Sequence, residues 1–91
     1  MADQPFEIAW TRSARRTLSQ LPPKVLDAVV EFVYGPLADH PTRVGKRLRF
    51  ELEGHWSARR GDFRIIYLVD DERRRVTVEV VGHRSDVYRR R

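Results

Sequence analysis

The first part of the chain combines a strand-like pattern of apolar residues with a helix-like one. Residues 6–10 alternate large apolar side chains with small or polar ones, which predicts a short strand. Thr11 or Ser13 can cap the helix that follows. Three apolar residues at helical spacing form one stripe of this helix, namely Ala14, Leu18 and Leu21. These residues predict a strand followed by a short helix.

A second helix is predicted from about residue 24 to residue 34. Pro22 and Pro23 end the first helix, and a proline in the first turn of the next one costs no hydrogen bond. The apolar face of this helix consists of Leu26, Val29, Val30, Val33 and Leu37. We expect Gly35-Pro36 to break or kink it, with a last turn that can continue to Asp39. The two helices then form a helical hairpin.

The second part of the chain has the two-residue period of strands. Apolar and charged residues alternate over residues 48–52, and three further strand-like runs lie at residues 55–59, 63–69 and 75–81. Turn-forming and charged residues separate these three runs, which predicts an antiparallel meander. The expected fold is therefore α+β in the order β-α-α-β-β-β, with both helices packed on one sheet face. A short basic tail, or one helical turn, is expected at residues 86–91.

Length and composition restrict the class of protein. With 91 residues, of which 41% are apolar, we expect a single domain over residues 1–91 with a thin core. Since no apolar run approaches the roughly 18–20 residues of a membrane span, and no secretory leader is visible, we expect a cytoplasmic protein without a membrane partner. The absence of cysteine excludes disulfides and cysteine zinc sites.

The charge is unevenly distributed along the chain. Residues 1–42 have a net charge of −1, whereas residues 43–91 hold fourteen basic and eight acidic residues, a net charge of +6. A basic half of this kind suits a polyanionic partner, and nucleic acid is the first candidate. The alternative is a genome rich in arginine codons, which the presence of only two lysines favours.

Strand alternation predicts which side chains share a face of the meander. If Arg59 pairs with Arg64 across the first turn, then Trp56 pairs with Tyr67, and the apolar face of this hairpin meets the helices. The opposite face then presents two guanidinium groups side by side, which needs carboxylates or an anionic ligand. Glu79 could neutralise one of them. We expect a cluster on this face made of His55, Ser57, Arg59, Arg64, His83, Arg84 and Tyr88.

Such a cluster fits RNA cleavage without a metal or any other cofactor. A base removes the 2′-hydroxyl proton, cations stabilise the phosphorane, and an acid protonates the 5′-oxygen. His55 or His83 can carry a proton near neutral pH, whereas arginine suits phosphate binding. The tyrosine ring can stack on a base.

Two segments of the sequence resemble the RelE-type toxins of bacterial type II toxin–antitoxin systems, within the RelE/ParE superfamily. They are LEGHWSARRGDFRIIY at residues 52–67 and VGHRSDVY at residues 81–88. The resemblance covers essentially the whole chain, including the helical hairpin. It implies an mRNA interferase that cuts message in the ribosomal A site, with a cognate antitoxin as its partner.

The resemblance also implies roles for residues of this chain. We expect the catalytic residues to be Arg64, Arg84, Tyr88, Arg59 and His83, and the substrate-binding residues to be His55, Ser57, Lys46 and Arg60. A well-known branch of the family has lysines where this chain has His55 and Ser57, and a related branch has an acidic base where it has Lys46. The general base therefore stays open between His83, Lys46 and His55.

Two other functions compete with the ribonuclease. A ParE-like member would inhibit DNA gyrase without cleaving RNA. A non-catalytic member would act mainly in an antitoxin-bound repressor complex on DNA.

Overall fold

The computed structural model describes residues 4–49 and 54–83. The helices are α1 (Arg12–Leu18), α2 (Pro23–Phe32) and α3 (Pro41–Val44), with a π-helical segment at Val33–Leu37 between the last two. The strands are β1 (Glu7–Trp10), β2 (Lys46–Arg47), β3 (Trp56–Arg60), β4 (Phe63–Asp70) and β5 (Arg75–His83). They form a sheet in the order β1-β5-β4-β3-β2. The predicted α+β class, with a strand and helices before the main sheet strands, is confirmed.

The sheet is antiparallel except at one edge. Strand β1 pairs in parallel with β5, with Ile8 opposite Val76 and Trp10 opposite Val78. The β3–β4–β5 meander is antiparallel, as the sequence predicts. Helix α1 begins where β1 ends, and Thr11 is its N-cap: the Thr11 hydroxyl accepts a hydrogen bond from the Ala14 amide at 3.1 Å.

The helices cover one face of the sheet and form the core with it. Ala14 of α1 and Val29 of α2 are buried against Ile65, Tyr67 and Val78 of the meander. Burying these apolar side chains is the main favourable term in folding. Within the described ranges, no helix combines the length and hydropathy needed to cross a membrane.

The helix does not end at Pro36 but changes from α-helical to π-helical over Val33–Leu37. Pro36 lies inside the π-helical segment, where the helix tolerates a residue without an amide hydrogen. Val33 and Leu37 stay fully buried on the core side. The helical conformation then continues to Asp39, as the sequence predicts.

Two elements before the meander differ from the prediction. The chain forms the short helix α3 after His40, and a two-residue edge strand, β2, precedes the alternating residues that begin at residue 48. Lys46 pairs with Ser57, and Arg47 pairs with Trp56. Residues 50–53 lie outside the described residues, as does the predicted tail at residues 86–91.

A β-bulge reverses the alternation of β5. Ile66 pairs with Val80, but the next residue, Tyr67, pairs with Val78, so one residue of β5 is extra. Strict alternation predicts that Val76, Val78 and Val80 share one face. That prediction is wrong beyond the bulge, because Val81 is buried and Val80 is 36% exposed.

Candidate active site on the outer face of the sheet

Arg59 and Arg64 lie directly opposite each other on the sheet face turned away from the helices, called the outer face below. Their neighbours Ala58 and Ile65 are buried in the core, so the arginines extend to the other side. The predicted hairpin register is confirmed. Gly82 pairs with Arg64 on β5 and contributes no side chain to this row. The outer face therefore carries two like charges side by side, an arrangement that destabilises a sheet.

Ser57 and Lys46 form the next row of the outer face. Lys46 on β2 pairs with Ser57 on β3. Ser57 is only 5% exposed, and its hydroxyl accepts a hydrogen bond from Nη1 of Arg64 at 3.5 Å. Two rows of this face thus place a lysine, a hydroxyl and two guanidinium groups on neighbouring strands. Such donors suit the oxygens of a phosphate.

Tyr67 fixes the chain just before Lys46. Its hydroxyl donates a hydrogen bond to the Pro41 carbonyl at 2.6 Å, and the whole side chain is buried. Burial raises the pKa of Tyr67 well above its usual value. A Cβ on Gly45 would lie 2.1 Å from the Tyr67 hydroxyl oxygen, so this position requires glycine. These contacts hold the start of β2 against the meander and set the position of Lys46.

His55 and Glu79 make a polar contact next to this row. Nε2 of His55 lies 3.1 Å from Oε1 of Glu79, with side-chain exposures of 23% and 34%. Nδ1 of His55 is buried and has no hydrogen-bond partner within the described residues. Of the described carboxylates, Glu79 is the one in contact with these outer-face residues.

The bulge and Thr11 explain how Glu79 reaches the outer face. Val78 and Val81 both face the core although they are three residues apart, so Glu79 and Val80 share the outer side. The Thr11 hydroxyl donates to the Glu79 carbonyl at 3.3 Å, and the Thr11 amide donates to the Val78 carbonyl at 3.0 Å. The cap of α1 is thus bonded to the bulge.

His83 and Arg60 lie on the other side of the sheet. Both pair with Phe63, whose position in the alternation matches that of buried Ile65. The His83 ring meets the Phe63 ring edge-on, with centroids 5.9 Å apart. The expectation that His83 shares the face of Arg59 and Arg64 is therefore wrong, because the bulge reverses the alternation before β5 reaches it.

Comparison with known proteins assigns the family. The family described as the ParE toxin of type II toxin–antitoxin systems, parDE, matches residues 8–88. The chain belongs to this toxin family. Toxin RelG of Mycobacterium tuberculosis is 52% identical to it over 86 residues, which are 94% of this chain and 99% of that protein. Toxin RelE of the same organism is 49% identical over 87 residues, 96% of this chain and 90% of the relative.

A solved structure agrees with this assignment. The toxin–antitoxin complex RelBE2 of Mycobacterium tuberculosis contains a chain that superposes with a TM-score of 0.85 at 51% identity, covering 90% of this chain and 94% of that one. The protein is thus a RelE-type toxin, as its motifs at residues 52–67 and 81–88 predict.

The structure of this toxin brings together part of the predicted cluster. Arg59, Arg64, Ser57 and Lys46 occupy adjoining rows of the outer face, and His55 directly precedes β3. Arg84 and Tyr88 lie outside the described residues. Within residues 4–49 and 54–83, no group of three histidines or carboxylates is placed to hold a metal ion.

For Glu79 the sequence predicts only the neutralisation of one arginine and not its contact with His55. The sequence feature that indicates the position of Glu79 is the run Val78-Glu79-Val80-Val81. Apolar residues occupy both odd and even positions of this run, so they cannot all lie on one face of a regular strand. Two adjacent valines in an otherwise alternating strand indicate either a strand covered on both faces or a change of parity. Since Val80 is exposed, the change of parity is the one that occurs.

Proposed function

We propose that this protein is a ribosome-dependent endoribonuclease that cuts mRNA in the ribosomal A site and so inhibits translation. The reaction is a metal-independent attack of the 2′-oxygen on the adjacent phosphorus. It leaves a 2′,3′-cyclic phosphate, or a 3′-phosphate after hydrolysis, and a 5′-hydroxyl end. The target, the ribosome, lies in the cytoplasm.

The observation that carries this proposal is the Arg59–Arg64 pair on the outer face. Two opposed guanidinium groups repel each other, and an anion between or above them removes that repulsion. Arginine keeps its charge at every physiological pH and binds two phosphate oxygens at once. Charge placed where the phosphorane becomes negative stabilises the transition state.

Further residues complete the proposed site. Lys46 and Ser57 supply a second row of donors beside the arginine pair. The family resemblance matches Arg84 and Tyr88 to residues of the family's site. In the proposal Arg84 binds the phosphate, and Tyr88 stacks on a base and supplies a proton to the 5′-oxygen. The proposal gives no role to His83 or Arg60, because both lie on the helix side of the sheet.

We also propose a cognate antitoxin that covers the basic surface of the free toxin. One similar structure is that of a toxin–antitoxin complex. An acidic segment that folds on binding is the chemical complement of a surface with this charge. Binding there would neutralise the arginine pair and exclude RNA.

The test is to replace Arg64 with alanine. The Arg64→Ala protein should lose growth arrest on induction, and its cleavage of mRNA on programmed ribosomes should fall about 10²–10³-fold, the usual cost of removing one transition-state donor. The thermal unfolding transition should stay close to that of the parent protein. The ends of the cleaved message report the 2′,3′-cyclic phosphate.

Arg75→Ala is the matched control. Arg75 lies at the far end of β5, opposite Asp70, and contacts Glu7 at 3.4 Å. This variant should stay fully toxic. A folded Arg64→Ala protein that arrests growth as strongly as Arg75→Ala would contradict the ribonuclease proposal.

Inhibition of DNA gyrase is the second candidate, because the matched family is described as the ParE toxin. A gyrase inhibitor would block DNA supercoiling by the purified enzyme and leave message intact on induction. A ribonuclease would shorten message and leave supercoiling unchanged. The two readouts separate the candidates in one induced culture and one purified assay.

A further inference from the structure

Glu79 is a carboxylate in a basic surface, and the fold places it there by several independent contacts. The bulge places the Glu79 side chain on the outer face. The Thr11 hydroxyl donates a hydrogen bond to the backbone carbonyl of Glu79 at 3.3 Å. His55 holds one of its carboxylate oxygens at 3.1 Å. β-bulges are common next to functional sites, where they change the direction of a side chain.

We propose that Glu79 is the general base of the ribonuclease site and that His55 is the positioning residue that holds it. This inference rests on the proposed function. The Glu79 carboxylate takes the proton of the 2′-hydroxyl while the 2′-oxygen forms its bond to phosphorus. The bond between phosphorus and the 5′-oxygen breaks, and the 5′-oxygen takes a proton from the proposed acid, Tyr88, or from water. Solvent restores both groups.

The contact with His55 leaves Glu79 able to meet a substrate. An ionised carboxylate only accepts hydrogen bonds, so Nε2 of His55 carries the hydrogen and Oε1 of Glu79 receives it. The second oxygen, Oε2, makes no hydrogen bond to a described residue, and the Glu79 side chain is 34% exposed. A ribose hydroxyl can therefore approach this partly exposed side chain from the solvent.

The same geometry argues against His55 as the group that removes the proton. Nε2 of His55 is occupied by Glu79, and Nδ1 is buried away from solvent. An imidazole between a carboxylate and the protein interior can orient its partner but offers no accessible lone pair. His55 is thus suited to positioning.

The other candidates for the base fit less well. His83 lies on the helix side of the sheet, with its ring against Phe63. Lys46 lies on the outer face, but a lysine ammonium only donates hydrogen bonds. Glu79 is an outer-face carboxylate, and its side chain contacts His55, which directly precedes the strand of Ser57 and Arg59.

Several charged groups share the sheet face of Glu79 or lie beside the bulge. Its face is shared by Lys46 on β2, Arg59 on β3 and Arg64 on β4. His55, which directly precedes β3, lies on the same face. Arg12 follows Thr11 at the start of α1, which contacts the bulge.

The experiment measures single-turnover cleavage of mRNA on programmed ribosomes across a pH series. Glu79→Gln keeps the shape of the side chain and an oxygen for His55 but cannot take a proton. Its rate should fall about 10²–10⁴-fold, and the rise of rate with pH should disappear. His55→Gln keeps an N–H donor for Glu79, so it should cleave within about tenfold of the parent and retain the rise with pH, whereas His55→Ala should be slower than His55→Gln.

Glu7→Gln is the matched control, since Glu7 is another sheet carboxylate in contact with a cation, Arg75. It should cleave like the parent protein. If Glu79→Gln does not fold, Glu79→Asp replaces it: a shorter carboxylate should slow cleavage and keep the pH dependence.

Different outcomes overturn different statements. A folded Glu79→Gln protein with the rate and pH profile of the parent would remove Glu79 from the reaction. A His55→Gln protein as slow as Glu79→Gln would assign the proton to His55 instead. A parent protein that cleaves no message at any pH would overturn the ribonuclease proposal itself.

Discussion

The two faces of the sheet are built from alternate residues of the same strands, yet one is packed against the helices and the other carries the arginine pair. On the helix face, Ile65, Tyr67 and Val78 are fully buried. On the outer face, Arg59 and Arg64 stand opposite each other in the same hairpin. The helix face lowers the free energy of folding by burying apolar area, whereas two like charges placed opposite each other oppose folding.

The difference shows how a chain of 91 residues separates stability from chemistry. Because successive side chains of a strand point to opposite faces, Arg64 and Ile65 belong to different surfaces although they are neighbours in sequence. The helix face can hold the fold while the outer face stays charged. Functional sites commonly lower the stability of a protein in this way, and favourable contacts elsewhere in the fold offset the loss.

Replacing Ile65 with alanine tests the helix face and should give the largest effect. Ile65 is completely buried in the core cluster, so the change removes apolar contacts and leaves a cavity. We expect the free energy of unfolding to fall by about 2–5 kcal/mol. Urea unfolding followed by circular dichroism measures it.

Val80→Ala is the control on the outer face. Val80 is 36% exposed and pairs with Ile66 on the same ladder. Its loss should change the free energy of unfolding by no more than about 0.5 kcal/mol. Equal losses for Ile65→Ala and Val80→Ala would mean that both faces contribute to the core, which would break the comparison.

The sequence predicts the helix face better than the outer face, for physical reasons. Alternation in residues 55–69 predicts the register in which Arg59 meets Arg64, because a one-residue slip would expose Ile65 and Tyr67. Because a register shift would lose the free energy of burying these core residues, the alternation in residues 55–69 predicts a single register. The positions of the outer-face residues Arg59 and Arg64 follow from that same register.

The parts that the sequence does not predict depend on contacts between distant residues. The bulge at Glu79 is hydrogen-bonded to Thr11, which lies 68 residues earlier in the chain. Strand β2 depends on the bond from Tyr67 to Pro41 and on the space that Gly45 leaves. The π-helical segment at Pro36 keeps Val33 and Leu37 in the core, which outweighs the local preference of proline to end a helix.

Tyr67→Phe tests the link between the two faces and should have an intermediate effect. The hydroxyl is buried on the helix face, but its bond to the Pro41 carbonyl fixes the chain that leads to Lys46 on the outer face. Without it the carbonyl lacks its partner, which should cost about 1–3 kcal/mol of unfolding free energy. Hydrogen exchange of the Lys46 amide should also accelerate.

The pH dependence of Tyr67→Phe gives a second measurement. Burial raises the pKa of Tyr67 in the folded state above its unfolded value of about 10. The neutral phenol therefore contributes stability that is complete below pH 10 and is lost as the pH rises further. The stability difference between the parent and Tyr67→Phe should shrink above that pH.

Thr11→Ala should give the smallest of these losses and shows whether the bulge has a remote anchor. The Thr11 hydroxyl accepts from the Ala14 amide at the start of α1 and donates to the Glu79 carbonyl in the bulge. Loss of an N-cap costs about 0.5–2 kcal/mol, which calorimetry can measure. Thr11→Ser keeps both hydrogen bonds and should cost much less. Since the hydroxyl also holds the bulge, Thr11→Ala should loosen the His55–Glu79 contact, seen as a change in the His55 ring resonances. A variant that loses cap stability while those resonances stay unchanged would show that the bulge is held by the strands alone, and the two faces would then be coupled only through the backbone of β5.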